Sequence, residues 1–252
     1  MSQNKSLVID AAAFQSEVKG SCVVIKLKRN GLSHASDIAE KMELIQFIEE
    51  LSSNKEIRSV LLYGNPEKRG TEEYLEWREN LRQDPHAFRT LSRLINGFHQ
   101  FIQTIVASPK LFIYADQGNI TLPYISLGLA SDYVFMADNA VVQNPCPRTG
   151  TLSVGGISYF LSRNLSRGKI LEWTLFRENI STAEAVQLGL VDKVVNAERL
   201  MTDSLAFAHR LDRFSPRYLA SLKKVLNANM TGFTEALAME TREIHKTFET
   251  SV

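Results

Sequence analysis

Cys146 and His99 are the side chains of this sequence whose chemical types most readily suggest catalysis. Cys146 lies between two prolines, and it is either a nucleophile, if a base ionises its thiol, or a small buried packing residue. His99 lies in an apolar helical pattern and is likewise either a site residue or a packing residue. No Asp or Glu occurs between Asp138 and Glu172, so the segment around Cys146 contains no carboxylate for general acid–base catalysis.

A second feature is the helix start within DQGNITLPYISLGLASDY, residues 116–133. The free N–H groups of a helix start can bind an anion or a developing negative charge. This helix begins with Leu122, Pro123 and Tyr124, and proline has a suitable φ for the first turn but no N–H to donate. We therefore interpret these residues as a structural helix start.

Composition limits the classes of function. The chain has 252 residues, 44% of them hydrophobic, and a formal net charge of +1, which does not favour binding to nucleic acid or to an anionic membrane. Its two cysteines, Cys22 and Cys146, form neither a disulfide framework nor a metal-binding pattern. The first ten residues lack an apolar signal-peptide core, and we expect a cytoplasmic protein.

The hydrophobic pattern predicts an α/β core over 1–196 and a helical oligomerisation region over 197–252. In the core, runs rich in Val, Ile and aromatic residues alternate with amphipathic helical stretches. We expect strands at 22–28, 59–64, 111–115, 132–137, 140–144 and 192–195.

Two of the predicted helices have clear end signals. Asp37 is a suitable N-cap for a helix that continues to about residue 53. Ser181 and Glu184 form a capping-box pattern, and Gly189 is a suitable C-terminal stop for the helix that follows. A longer amphipathic helix is predicted over 88–108.

The segment TAEAVQLGLVDKVV, residues 182–195, resembles the A-x-E-A-x-x-x-G-L-V-x-x-V signature of the crotonase superfamily, which includes enoyl-CoA hydratases and isomerases. SVLLYGNPEKRGTEEYLEW, QGNITLPYISLGLASDYVFMADNAVV and GGISYFLSR resemble further motifs of that family and occur in the family's order. The resemblance covers roughly residues 20–250. It implies a crotonase-like spiral of ββα units with a helical trimerisation region, and a homotrimer or hexamer.

The resemblance also assigns positions to the site residues. In this family two backbone N–H groups hold the thioester oxygen. Their matching positions are Thr71 and Pro123, with Tyr124 one residue further on. The two glutamates of the hydratases are matched by Ser126 and Cys146, neither of which is an acid or base near neutral pH.

Binding of coenzyme A is implied for a separate set of residues. Lys28 and Arg29 lie at the end of the first predicted strand, and Lys68, Arg69 and Gly70 belong, together with Thr71, to one predicted loop. Their cationic side chains suit phosphate groups. We expect CoA to enter only as part of a substrate or ligand, with no other cofactor and no metal.

Two functions stay open from the sequence. The first is a divergent member of the enoyl-CoA hydratase/isomerase family that binds an acyl-CoA or acyl-carrier thioester, with hydratase chemistry lost or altered. If active, it would be a lyase or isomerase of fatty acid metabolism. The alternative is a catalytically silent scaffold or partner subunit with the same fold.

Overall fold

The structure is a computed structural model, and it describes residues 7–67 and 70–249. Its strands match the six predicted runs, with ends that differ by at most one residue, and add three further strands. The strands are β1 (Phe14–Lys19), β2 (Cys22–Leu27), β3 (Ser59–Tyr63), β4 (Leu111–Asp116), β5 (Asn119–Thr121), β6 (Tyr133–Ala137), β7 (Val141–Gln143), β8 (Asn179–Ser181) and β9 (Lys193–Val195).

Helices connect these strands and continue beyond the last of them. The helices are α1 (Gly31–Ser36), α2 (Ile38–Ser53), α3 (Thr71–Gln83), α4 (Ala87–Ala107), α5 (Leu122–Ala130), α6 (Cys146–Thr149), α7 (Ile157–Asn164), α8 (Arg167–Phe176), α9 (Thr182–Gln187), α10 (Leu200–Arg210), α11 (Pro216–Asn227) and α12 (Phe233–Glu249).

The strands form two sheets. The larger has the order β1-β2-β3-β4-β6-β9, and only the β1–β2 pair is antiparallel. The smaller has the order β5-β7-β8, in which β5 and β7 are parallel and β8 runs antiparallel to β7. Because β2, β3 and β4 are parallel, the residues that follow them meet at one edge of the large sheet.

The large sheet is buried on both faces, which explains why its central strands are apolar without interruption. Along β2, Val23 and Ile25 belong to the main core, which the helices α2, α4 and α5 also line. Val24, between them, belongs to a second core on the opposite face, which includes Ala208 of α10. The alternation follows from the period of two along a strand.

Both of the helix N-caps predicted from the sequence are confirmed. The Asp37 side chain accepts hydrogen bonds from the backbone N–H groups of Ala39 and Glu40. The capping box of Ser181 and Glu184 is formed in both directions.

Three strands were not expected, and one position differs from its expected setting. Two of the additional strands, β5 and β8, contain one isoleucine each between polar residues, so no apolar run marks them in the sequence. Thr71, which the sequence placed in a loop, is the first residue of α3.

After β9 the described chain consists of helices and short turns. Over the described residues, none of the helices is both long and apolar enough to cross a lipid bilayer.

A buried lysine connects this helical region to the sheet. Lys223 of α11 is 2% exposed, and its Nζ donates to the carbonyl oxygens of Ile105 and Lys110 and to Oδ2 of Asp132, at 2.9, 3.0 and 2.8 Å. Asp132 also accepts the N–H of Phe112, so one carboxylate joins α11, β4 and the start of β6. Burial lowers the pKa of Lys223, an effect that Asp132 opposes.

We expect Lys223→Met to lower the free energy of unfolding by about 3 kcal/mol, because it leaves buried carbonyl oxygens and a carboxylate without their donor. Denaturant unfolding measures the change. Lys224→Met is the matched control, since Lys224 is the exposed neighbour on the same helix, and it should change stability by less than about 0.5 kcal/mol. Equal effects of the two substitutions would show that the buried contacts contribute little.

Candidate functional site

The start of α3 presents a backbone N–H that is already bound. Gly70, the residue before the helix, has a φ of +64°, and a Cβ built on it would lie 2.0 Å from Oε1 of Gln143. Only glycine therefore fits both the conformation and the space. The N–H of Thr71 donates to that same Gln143 oxygen at 2.7 Å. The predicted oxyanion donor thus holds a carbonyl oxygen of its own chain.

The start of α5 offers no second donor at Pro123. Pro123 lies in the first turn, and no side chain caps this end of the helix. The hydroxyl of Thr121 is buried and has no hydrogen-bond partner among the described residues. Leu122 and Tyr124, on either side of the proline, are 2% and 7% exposed, so their side chains pack in the core. The interpretation as a structural helix start agrees with this geometry.

The Tyr124 side chain fills space close to α1. A Cβ on Gly31 would lie 2.7 Å from the Tyr124 hydroxyl oxygen, which shows how closely the backbone approaches the ring. The hydroxyl donates to Oε1 of Glu73 on α3 at 3.2 Å. Burial, followed by the charge of Glu73, raises the pKa of Tyr124 well above its usual value. The phenol therefore stays protonated at neutral pH.

Ser126 does not replace a catalytic glutamate. Its side chain is fully buried, and its hydroxyl donates to the carbonyl oxygen of Pro123 at 2.6 Å. A Cβ on Gly155 would lie 2.1 Å from the Ser126 hydroxyl oxygen, so little space remains beside it. The Ser126 hydroxyl thus forms its hydrogen bond with a carbonyl oxygen in the first turn of its own helix.

Cys146 is the first residue of α6 and is buried. Burial raises the pKa of its thiol to about 12; a backbone hydrogen bond and the charge of Arg78 oppose the shift, and Glu240 adds to it. Its N–H donates to Oδ1 of Asn144 at 3.1 Å, which fixes the turn. The thiol is therefore neutral at physiological pH, and the packing interpretation of Cys146 fits better than the nucleophilic one.

We expect neither cysteine to react with iodoacetamide at pH 8 while the protein is folded. With a pKa of about 12 for Cys146 and about 11 for Cys22, at most about one thiol in a thousand is ionised at that pH. Mass spectrometry of the alkylated chain measures the outcome. The same reaction in guanidinium chloride is the control and should modify both thiols. Rapid modification of Cys146 alone in the native protein would indicate an activated nucleophile.

The structure adds one carboxylate that sequence reasoning did not assign to the site. Glu240 of α12 accepts the N–H groups of Gly155 and Gly156 at 2.8 and 3.0 Å, and its Oε1 lies 2.9 Å from Nε2 of His99. The Glu240 and His99 side chains are each 9% exposed. Because its oxygens accept backbone and imidazole donors, Glu240 attaches α12 to the loop beside Ser126. The apolar residues along one side of α12 indicate that this side of the helix is buried, and this was the signal in the sequence for the burial of Glu240.

We expect Glu240→Ala to loosen α12, because it leaves two backbone N–H groups and a buried imidazole without an acceptor. The predicted cost is about 2–4 kcal/mol, measured by denaturant unfolding. Hydrogen exchange should show lost protection in 233–248. Glu243→Ala on the same helix removes only a half-exposed ion pair with Lys246 and should leave both readouts nearly unchanged. Unchanged protection in Glu240→Ala would argue against the attachment.

Two of the five predicted CoA-binding residues line an open groove. Lys28 and Arg29 border a groove of about 630 Å³ at the edge where β2 and β3 end, together with Tyr63 and Asn65. Lys28 Nζ donates to Oδ1 of Asp10 at 2.6 Å, and Arg29 pairs with the carboxylate of Glu67.

Lys68 and Arg69 lie outside the described residues, whereas Gly70 is described and sits at the start of α3. In the described part of the chain, no three side chains of His, Cys, Asp or Glu are grouped so that they could hold a metal ion.

The helix α3 brings several predicted positions together. Thr71 at its start bonds to Gln143 of β7, and Glu73 bonds to Tyr124. Ser126 faces Gly155 beside the Glu240 contact instead. Of the positions implied by the family, α3 thus joins Thr71 and Tyr124, each through a hydrogen bond within the protein.

Comparison with known proteins gives the family. The sequence profile described as Enoyl-CoA hydratase/isomerase matches residues 17–252. A probable mitochondrial enoyl-CoA hydratase of Dictyostelium discoideum is 30% identical over 125 residues, which cover 49% of this chain and 45% of that protein. A probable enoyl-CoA hydratase of Mycobacterium tuberculosis is 30% identical over 125 residues, 49% of either chain. The chain therefore spans about half the length of the curated relatives it matches.

Solved structures give the fold. An enoyl-CoA hydratase from Bacillus halodurans superposes with a TM-score of 0.78 at 18% identity, covering 94% of this chain and 96% of that one. An enoyl-CoA hydratase from Polaromonas sp. JS666 has a TM-score of 0.73 at 28% identity, covering 95% and 91%. The predicted crotonase-like α/β fold is confirmed.

Proposed function

The chain belongs to the enoyl-CoA hydratase/isomerase family, and we propose that it binds an acyl-CoA or acyl-carrier thioester without the glutamate-based hydration of that family. One observation carries the proposal. The two positions that would hold the catalytic glutamates are occupied by Ser126, whose hydroxyl is bound to a backbone carbonyl, and Cys146, whose thiol is neutral. Neither can accept a proton from water near pH 7.

Retention of the ligand is supported by the groove at the ends of β2 and β3. Its cations Lys28 and Arg29 suit the phosphates of coenzyme A, because charge-assisted hydrogen bonds to phosphate are strong. The carboxylates of Asp10 and Glu67 hold these cations at the rim in the ligand-free protein. A bound phosphate would replace them as partners.

At the thioester end, a carbonyl oxygen could occupy the place of the Gln143 amide oxygen. The Thr71 N–H already aims at an sp² oxygen there, at 2.7 Å. Binding would exchange one carbonyl acceptor for another. Because Pro123 has no N–H to donate, the thioester would receive one backbone donor instead of two, which is enough to orient it but weak support for an enolate.

The Thr71–Gln143 hydrogen bond also favours the second candidate, a silent scaffold. A protein that no longer binds thioesters would satisfy its unused donor internally, as this bond does. The two functions differ in whether an acyl-CoA binds at all.

Assembly into a trimer or hexamer is part of the proposal for either function. It is supported by apolar side chains that stay exposed on two helices of the chain. On α8, Leu175 and Phe176 are 54% and 77% exposed, and on α11, Val225 and Leu226 are 68% and 61% exposed. Exposed apolar groups of this density commonly mark a protein interface.

We expect no hydration of crotonyl-CoA above the uncatalysed rate in a spectrophotometric assay, and saturable heat when the full chain is titrated with butanoyl-CoA. Arg29→Gln should weaken the binding by about tenfold, since it removes a charge-assisted donor. Lys55→Gln is the control, because Lys55 is exposed and precedes β3, at the opposite edge of the sheet. Hydration at enzyme-like rates would overturn the proposal, and so would the absence of heat at millimolar butanoyl-CoA, which supports the scaffold.

A further inference from the structure

One face of α3 runs alongside the segment 143–151. Thr71, Tyr74 and Arg78 have the i, i+3, i+7 spacing of a single helix face. Thr71 bonds to Gln143 at one end of the segment. At the other end Arg78 Nη1 donates to the Thr149 carbonyl oxygen at 3.1 Å and to the Thr151 hydroxyl at 2.9 Å.

Arg78 is a buried cation without an acidic partner. It is 7% exposed, and among the described residues no carboxylate lies within ion-pair distance of its guanidinium. The two oxygens that accept from its Nη1, the Thr149 carbonyl and the Thr151 hydroxyl, are neutral. A guanidinium stays charged in proteins and has five N–H donors. A buried charge that only neutral oxygens satisfy is costly, so its position calls for an anion.

The guanidinium borders a small cavity whose other walls are mainly apolar. The cavity has a volume of about 30 Å³, room for roughly two water-sized groups, and therefore for a carboxylate. Arg78 and Thr151 supply its polar side, whereas Leu81, Leu91 and Ile244 supply apolar walls. Ile244 belongs to α12, the helix that also carries Glu240, so α12 forms part of the wall of this cavity.

We propose that Arg78 determines specificity for an acyl thioester that carries a second carboxylate at the far end of its acyl chain. This inference rests on the proposed function, since the thioester itself would lie at the Thr71 N–H. Seven residues of helix separate Thr71 from Arg78, a rise of about 10 Å, and the arginine side chain leans back towards the helix start. The remaining distance suits a short chain of about five carbons between the thioester and the guanidinium.

The first experiment needs no variant. Isothermal titration calorimetry of the full chain compares glutaryl-CoA with pentanoyl-CoA, two five-carbon esters that differ in the terminal carboxylate. We expect glutaryl-CoA to bind at least about tenfold more tightly. Equal affinities, or tighter binding of pentanoyl-CoA, would overturn the role of Arg78 and leave the proposed function standing. Failure of both esters to bind would overturn the proposed function, and this inference with it.

Substitution then assigns the preference to one side chain. Arg78→Met should abolish the preference for glutaryl-CoA while pentanoyl-CoA binds within about twofold of its original affinity, and Arg78→Lys should retain part of the preference. Arg82→Met is the matched control, because Arg82 lies one turn further on α3 with a half-exposed side chain. A preference that survives in folded Arg78→Met would contradict the assignment. If Arg78→Met fails to fold, the Arg78→Lys variant and the comparison of the two esters still test whether Arg78 causes the preference for glutaryl-CoA.

Discussion

The missing N–H of Pro123 is the constraint on which the character of this site depends. Stabilising a developing oxyanion needs two donors that converge on one oxygen, and a helix start is a natural source of them. This helix start packs in the core, with Leu122 and Tyr124 buried on either side of the proline. The neighbouring polar groups form hydrogen bonds within the protein. Ser126 satisfies the proline carbonyl, and the Tyr124 hydroxyl bonds to Glu73.

The polar groups of the site are consequently satisfied before a ligand arrives. Gln143 supplies a carbonyl oxygen to Thr71, and Glu240 supplies acceptors to Gly155, Gly156 and His99. A ligand that displaces one of these contacts gains little, because it replaces one hydrogen bond by another. Arg78 differs, since its charge has only neutral acceptors. In such a site, affinity and selectivity for a ligand depend on the polar or charged group whose interactions within the protein are weakest.

How far the sequence predicts this structure depends on the range of the interactions. The Asp37 cap and the Ser181–Glu184 box were predictable, because each involves residues two or three positions apart. The central strands were predictable from their unbroken apolar runs. The β5 and β8 strands were not, because each has a single isoleucine between polar residues and pairs with β7, which lies elsewhere in the chain.

In the candidate site too, some features could be predicted from the local sequence, whereas others depend on contacts between distant residues. The absence of carboxylates at Ser126 and Cys146 can be read directly from the sequence once the family's motifs are aligned. The contact between Gln143 and Thr71 spans 72 residues, and that between Glu240 and Gly155 spans 85. Nothing local marks either partner. The burial of Arg78 likewise follows from the packing of α3 against 149–151, which helix periodicity alone does not specify.

The position of Lys223 along the chain has a consequence for biosynthesis. The carbonyl oxygen of Lys110 acquires its lysine donor 113 residues later. During translation the central strands therefore leave the ribosome well before the side chain that will fasten them to α11. Until then the apolar faces that α10 to α12 will cover stay open to solvent, and such partly assembled chains are prone to misassociation. The sheet and the helical region can therefore be joined through this contact only after residue 223 has been synthesised.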